Sequence, residues 1–178
     1  MNDADGTAGS ASMARRARRI RLALALIAGL LHPELGLGSE EATLHEKIVE
    51  ISDLQTEALT MRANRIPMLL LISQEHCPFC VQIKSEILNP MIRSGDYDER
   101  VMIREIFIDL GTTVTNFSGE ERKSVEFAHN YGVDLTPTLL ILDSRGRELS
   151  KRLIGLNTPE MFSYYVDRAL EDAIEKLR

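Results

Sequence analysis

The run Met68-Leu69-Leu70-Leu71-Ile72, unbroken by a polar residue and followed closely by Cys77-Pro78-Phe79-Cys80, restricts the fold of this chain more than any other stretch. A short, continuously apolar run is a strand buried on both faces, and such strands lie inside α/β sheets. Pro78 suits the first turn of a helix, where its missing N–H would have had no partner. A buried strand is therefore expected to run into a helix that begins at Cys77. With 178 residues and 44% apolar side chains, the chain can build one domain around a core.

The other elements follow from spacing. Residues 39–64 read as a helix, because Leu44, Ile48, Ile51, Leu54 and Leu59 recur three and four positions apart. Val81, Ile83, Ile87, Leu88 and Met91 predict a second helix, kinked or ended by Pro90. Residues 101–109 follow as a strand with Arg104-Glu105 in its middle, then 111–119 as a surface loop and 120–131 as a helix stopped by Gly132. Residues 137–142 and 148–154 read as a hairpin turning at Asp143-Ser144-Arg145-Gly146. Thr158 is the expected N-cap of a last helix, with Pro159 at its first position. The order is α, β, α, β, α, β, β, α.

The formal charge of -6 argues against a nucleic-acid binder, which needs clustered Lys and Arg. The one dense basic cluster is Arg15, Arg16, Arg18, Arg19 and Arg21, followed at once by the apolar stretch 22–31. That stretch is well short of the roughly twenty residues a membrane span needs and suits a secretory signal. Residues 1–38 are accordingly expected to be a signal peptide, or a retained signal anchor, ahead of a domain at 39–178. Arg18-Arg19 also leaves twin-arginine export open.

Cys77 and Cys80 are the only cysteines, so any thiol chemistry belongs to this pair. A thiol attacks only as thiolate, and the N–H groups at a helix start favour that charge. Cys80 lies on the same helix face, within reach of a disulfide. The expected roles are Cys77 as nucleophile and Cys80 as the thiol that resolves the mixed disulfide. Three other readings compete: half a zinc site, an inert structural disulfide, or a degenerate pair that only binds a partner. His32, His45, His76 and His129 form no ligand pattern, and no metal or cofactor is expected.

Cys-Pro-Phe-Cys after an apolar strand, together with the segment from Tyr131-Gly132-Val133-Asp134-Leu135-Thr136-Pro137-Thr138 to Gly146, resembles the thioredoxin superfamily over about 66–170. The resemblance implies an α/β thioredoxin fold: a central mixed sheet flanked by helices, here with an N-terminal helix. It also implies that Pro137 is a cis-proline opposite the cysteines and that Thr136 contacts substrate through its backbone. The chain departs from the family in three places. Leu71 stands where thioredoxins bury an aspartate that helps move the second thiol's proton, so that role is vacant or taken by Glu75 or a water. His76 replaces the usual tryptophan, and either tunes the thiolate or shapes the partner surface. The separation of Cys77 and Pro137 exceeds that of compact thioredoxins, which places an insertion around 94–118.

Among thioredoxins the chain is most similar to the SoxW-type periplasmic proteins of bacteria. That similarity implies a periplasmic protein-disulfide reductase whose substrates are disulfides of exported proteins; a monomer is expected. Its electron donor would be a membrane thiol transporter of the CcdA/DsbD type. The alternatives are a disulfide oxidase or isomerase of the Dsb kind, or a non-catalytic adaptor that binds clients.

Overall fold

The structure, a computed structural model, describes residues 47–178. The expected signal at 1–38 and the first part of the helix expected at 39–64 lie outside the described residues.

Five strands form the main sheet: β1 (Val49–Glu50), β2 (Met68–Ser73), β3 (Met102–Phe107), β6 (Thr138–Leu142) and β7 (Leu153–Ile154), in the order β1-β3-β2-β6-β7. β1 and β2 flank β3 in parallel, whereas β6 runs antiparallel to β2 and β7 antiparallel to β6. All six residues of β2 are buried, because a neighbour covers each edge and helices cover each face. Alternation along the strands splits the core. Leu69, Leu71, Ile103 and Leu139 pack on one side with Ile83, Leu88, Phe162 and Val166, while Leu70, Ile72, Ile106 and Leu140 pack on the other with Leu54, Met61 and Phe127.

Helix α1 covers Leu54–Asn64, shorter than the helix expected over 39–64. Upstream of it Val49 and Glu50 lie extended beside Arg104 and Glu105, and the Ile51 N–H donates to the Glu105 carbonyl at 3.0 Å. The helix cannot extend back through Asp53, which caps it by accepting the Thr56 N–H at 3.0 Å and the Thr56 hydroxyl at 2.6 Å. Those bonds hold the Asp53 carboxyl below its ordinary range. Leu59 is exposed, so the buried stripe is Leu54, Ala58 and Met61.

Helix α2 (Pro78–Ile83) continues through a π-helical turn (Lys84–Leu88) into α3 (Asn89–Ser94). Pro90 therefore does not end the helix. Proline has no N–H for the carbonyl four residues back, and the widened turn before it, in which the Asn89 N–H donates to the Lys84 carbonyl, absorbs that defect.

The insertion expected around 94–118 is not one block, since it contains the core strand β3. The added structure is a small antiparallel hairpin, β4 (Thr113–Thr115) and β5 (Glu121–Lys123), where a loop and a helix start were expected. Its turn is closed by Asn116 Oδ1, which accepts the N–H groups of Ser118 at 2.9 Å and Glu120 at 3.0 Å. Val114 is buried and the Thr115 N–H donates to the Ser52 carbonyl at 2.7 Å, which docks the hairpin at the start of α1. Helix α4 consequently begins at Ser124 and runs to Asn130.

Beyond β6 the expected hairpin is present, but its second strand is reduced to β7 and a bridge between Leu142 and Glu148. Asp143 Oδ1 accepts the N–H groups of Arg145 and Arg147 and closes the turn. Gly146 lies at φ +76°, and a Cβ there would sit 2.6 Å from Phe117 and 2.7 Å from the Tyr131 hydroxyl. Gly146→Ala is expected to destabilise the fold by about 1–3 kcal/mol, read as a lower urea midpoint with unchanged slope. Helix α5 spans Pro159–Leu177. Thr158 precedes it at φ 48°, yet its hydroxyl donates back to the Asn157 carbonyl instead of capping the helix as expected.

Candidate active site

Strand β2 delivers the chain through Gln74, Glu75 and His76 to Cys77, which is the N-cap of α2. The Cys77 sulfur takes the place a serine or aspartate oxygen usually fills, accepting the Cys80 N–H at 3.1 Å. Cys77 and Cys80 are joined as a disulfide with Cα atoms 5.2 Å apart. The two residues differ in access: Cys77 is 9% exposed and Cys80 is fully buried, so a partner can approach only the first.

The loop before β6 supplies the opposite wall. The Thr136–Pro137 peptide is cis, and Thr136 Oγ1 lies 3.8 Å from the Cys77 sulfur. The Thr136 hydroxyl donates to Gln74 Oε1 at 2.7 Å, tying the two loops together. Gln74 was not singled out in the sequence, because its role exists only once residues 62 positions apart meet. Among the described residues no backbone hydrogen bond engages the Thr136 N–H or C=O, which leaves both available to an extended peptide. Phe79 and Leu135 are largely exposed, and so is Ile154, which pairs with Thr138 next to Pro137. These three give the site an apolar rim.

Glu75 and His76 flank the motif with exposed side chains, and neither hydrogen-bonds a cysteine among the described residues. What positions Glu75 is its backbone N–H, which donates to the Asp109 carboxylate at 3.0 Å. Among the described residues, no group of three or more His, Cys, Asp or Glu is arranged to hold a metal ion.

The model of the thioredoxin-like domain matches residues 54–170, which include both walls of this site. The chain belongs to the thioredoxin-like family. No curated protein matches the sequence significantly. Among solved structures it is similar to a poplar thioredoxin h at 18% identity, covering 68% of this chain and 96% of that one with a TM-score of 0.48. It is also similar to oxidized mitochondrial thioredoxin 3 of Saccharomyces cerevisiae, at 16% identity over 70% and 94% of the two chains with a TM-score of 0.48. Thioredoxin of Trypanosoma brucei brucei shares 15% identity over 73% and 96%, with a TM-score of 0.49. Likenesses this distant add nothing beyond the family itself.

Within this thioredoxin-like domain Leu71 is fully buried and apolar, and its partner in β3 is Glu105. Glu105 is a buried acid on this side of the sheet, at 3% exposure. It accepts the Ser73 hydroxyl at 2.6 Å and the Lys84 ammonium at 2.8 Å, both on Oε1. Its trace in the sequence was the Arg104-Glu105 pair inside an otherwise apolar strand. Periodicity placed the pair in β3 but could not show that Arg104 turns toward Glu57 on one side while Glu105 turns beneath α2.

Proposed function

We propose that the protein is a thiol-disulfide oxidoreductase that reduces disulfides of exported proteins, in the manner of the SoxW-type periplasmic thioredoxins. The observation that carries this reading is Cys77: the accessible sulfur of a Cys-x-x-Cys disulfide, set at a helix N-terminus and facing Thr136. The thioredoxin-like fold with its Cys-x-x-Cys pair in disulfide contact supports the redox class. The exported site of action and the clients rest on the basic and apolar start of the sequence.

In the dithiol form, a client peptide lies extended along Thr136 and beside the apolar rim. The Cys77 thiolate, favoured by the N–H groups of the first helical turn, attacks one client sulfur. A bond forms between Cys77 and that sulfur, and the other client sulfur leaves as thiolate and takes a proton. Cys80 then loses its proton and attacks Cys77, which releases the second client thiolate and restores the Cys77–Cys80 disulfide. Two electrons have passed to the client. A membrane thiol transporter of the CcdA/DsbD type is the proposed source of the next pair. Glu75 is proposed as a carboxylate for proton transfer at the solvent side of the motif, and His76 as a residue that tunes the thiolate or shapes the partner surface.

Cys80→Ser is expected to stop the cycle after the first attack and accumulate client adducts that reducing agent dissolves on a gel. Their absence when Cys80→Ser protein is mixed with oxidised exported proteins would refute Cys77 as the attacking sulfur.

A further inference from the structure

The Ser73–Glu105–Lys84 cluster is not needed to hold or break the disulfide, yet it touches the chain on both sides of it. Ser73 ends β2, just before the motif. Lys84 stands one helical turn beyond Cys80, about 6 Å along the axis, and its N–H donates to the Cys80 carbonyl. Glu105 sits between them at the back of a cleft also lined by Lys47, Ile48, Val81, Ser85 and Asn89. The Lys84 side chain is 21% exposed and lies 4.8 Å over the Phe107 ring, so its charge is only partly hydrated. As a pair the two charges cancel. Alone, the ammonium would be a positive charge carried by a residue one turn beyond Cys80 and about two turns, roughly 10 Å along the axis, beyond Cys77.

We propose that Glu105 sets the reduction potential of the Cys77–Cys80 couple by pairing with the Lys84 ammonium, whose charge would otherwise favour the thiolate. This rests on the oxidoreductase reading and deepens it. Glu105 touches neither sulfur among its hydrogen-bond partners and is a positioning residue for Lys84. When two glutathione thiols reduce the couple, the S–S bond breaks, two electrons pass to the protein and one glutathione disulfide forms. The two protons go to the protein sulfurs, and Cys77 releases its own to water in the fraction that ionises. An unpaired cation nearby stabilises that thiolate and hence the dithiol form, which makes the protein a weaker reductant. With the cation paired, the disulfide form is favoured and the dithiol is a stronger electron donor. That is the direction the proposed function requires.

The test equilibrates the full chain with glutathione buffers and reads the fraction of dithiol. Glu105→Gln keeps the shape of the side chain and an acceptor for Ser73, but leaves Lys84 unpaired. It is expected to shift the equilibrium constant about tenfold toward the dithiol, or about 30 mV for this two-electron couple. Adding Lys84→Gln removes the stranded charge and is expected to return the double variant to within about threefold of the wild type. A purely structural role would lower stability further in the double variant without restoring the potential. Should Glu105→Gln not fold, Lys84→Gln alone decides, with an expected shift of several-fold toward the disulfide. An unmoved equilibrium in Glu105→Gln, or no return in the double variant, overturns the inference. Failure of the oxidoreductase reading would appear elsewhere, as a wild-type dithiol that equilibrates with glutathione yet reduces no protein disulfide.

Discussion

Cys77→Ser is expected to reduce the rate of disulfide reduction to that of the uncatalysed reaction, a loss on the order of 10³-fold or more. A hydroxyl does not exchange with a disulfide, and Cys80 cannot substitute because it is fully buried. The fold should survive the change. Serine is itself a preferred N-cap, so its oxygen can accept the Cys80 N–H that the sulfur now accepts. The lost cross-link closes a very short loop, which by chain entropy is worth about 2 kcal/mol. Cys80→Ser loses the same cross-link, so a comparison of the two variants isolates the nucleophile. Client reduction with purified Cys77→Ser protein checks the result: retained turnover would refute Cys77 as the nucleophile, whereas full cellular function of the variant without turnover would support the adaptor reading over the enzyme.

Leu71→Asp should have the largest effect on stability, about 4 kcal/mol or more, enough to unfold a domain of ordinary stability at moderate urea. Leu71 is fully buried on the α2 face of β2, with Ile83 and Leu88 in the same cluster. Its removal alone costs about 2–5 kcal/mol, as for other buried leucines. The new carboxyl would then lie beside Glu105, its register partner, where the Ser73 hydroxyl and the Lys84 ammonium are already engaged. If ionised it repels Glu105, and if protonated it has no arranged acceptor. Leu71→Asn separates the two costs, because it keeps the lost packing without the charge. At neutral pH, Leu71→Asp is expected to be less stable than Leu71→Asn by about 1–2 kcal/mol, with the gap closing as the medium is acidified. A Leu71→Asp urea midpoint no lower than that of Leu71→Asn at neutral pH would contradict the placement of the Glu105 carboxylate beside Leu71.

The elements that carry the chemistry were legible because their signals are local. An apolar run names a doubly covered strand, and Cys-Pro at a helix start fixes where the first sulfur stands. Spacing alone makes the two-residue strand β1 look helical, because Ile48 and Ile51 share the period of an amphipathic helix. Their extended conformation is selected by pairing with Arg104 and Glu105, far along the chain. The β4–β5 hairpin is equally silent in the sequence. Thr113–Thr115 and Glu121–Lys123 bury little besides Val114, so neither shows an alternating pattern strong enough to read. At Thr158 the residue type suggested a cap, but the backbone at φ 48° turns the hydroxyl away from the helix.

By itself the sequence determined the central strand, the sulfur at the helix start and the Thr136-Pro137 motif, since each is written in the order and size of adjacent residues. Only the tertiary structure decided that Gln74 holds Thr136 and that the buried acid beside Leu71 is Glu105 of β3 and not a residue of β2. Strand pairing brings residue 105 beside residue 71, and the helix after Cys80 lowers Lys84 onto it. Buried charge must find its partner across the fold, and no spacing along one strand reveals which residue that partner will be.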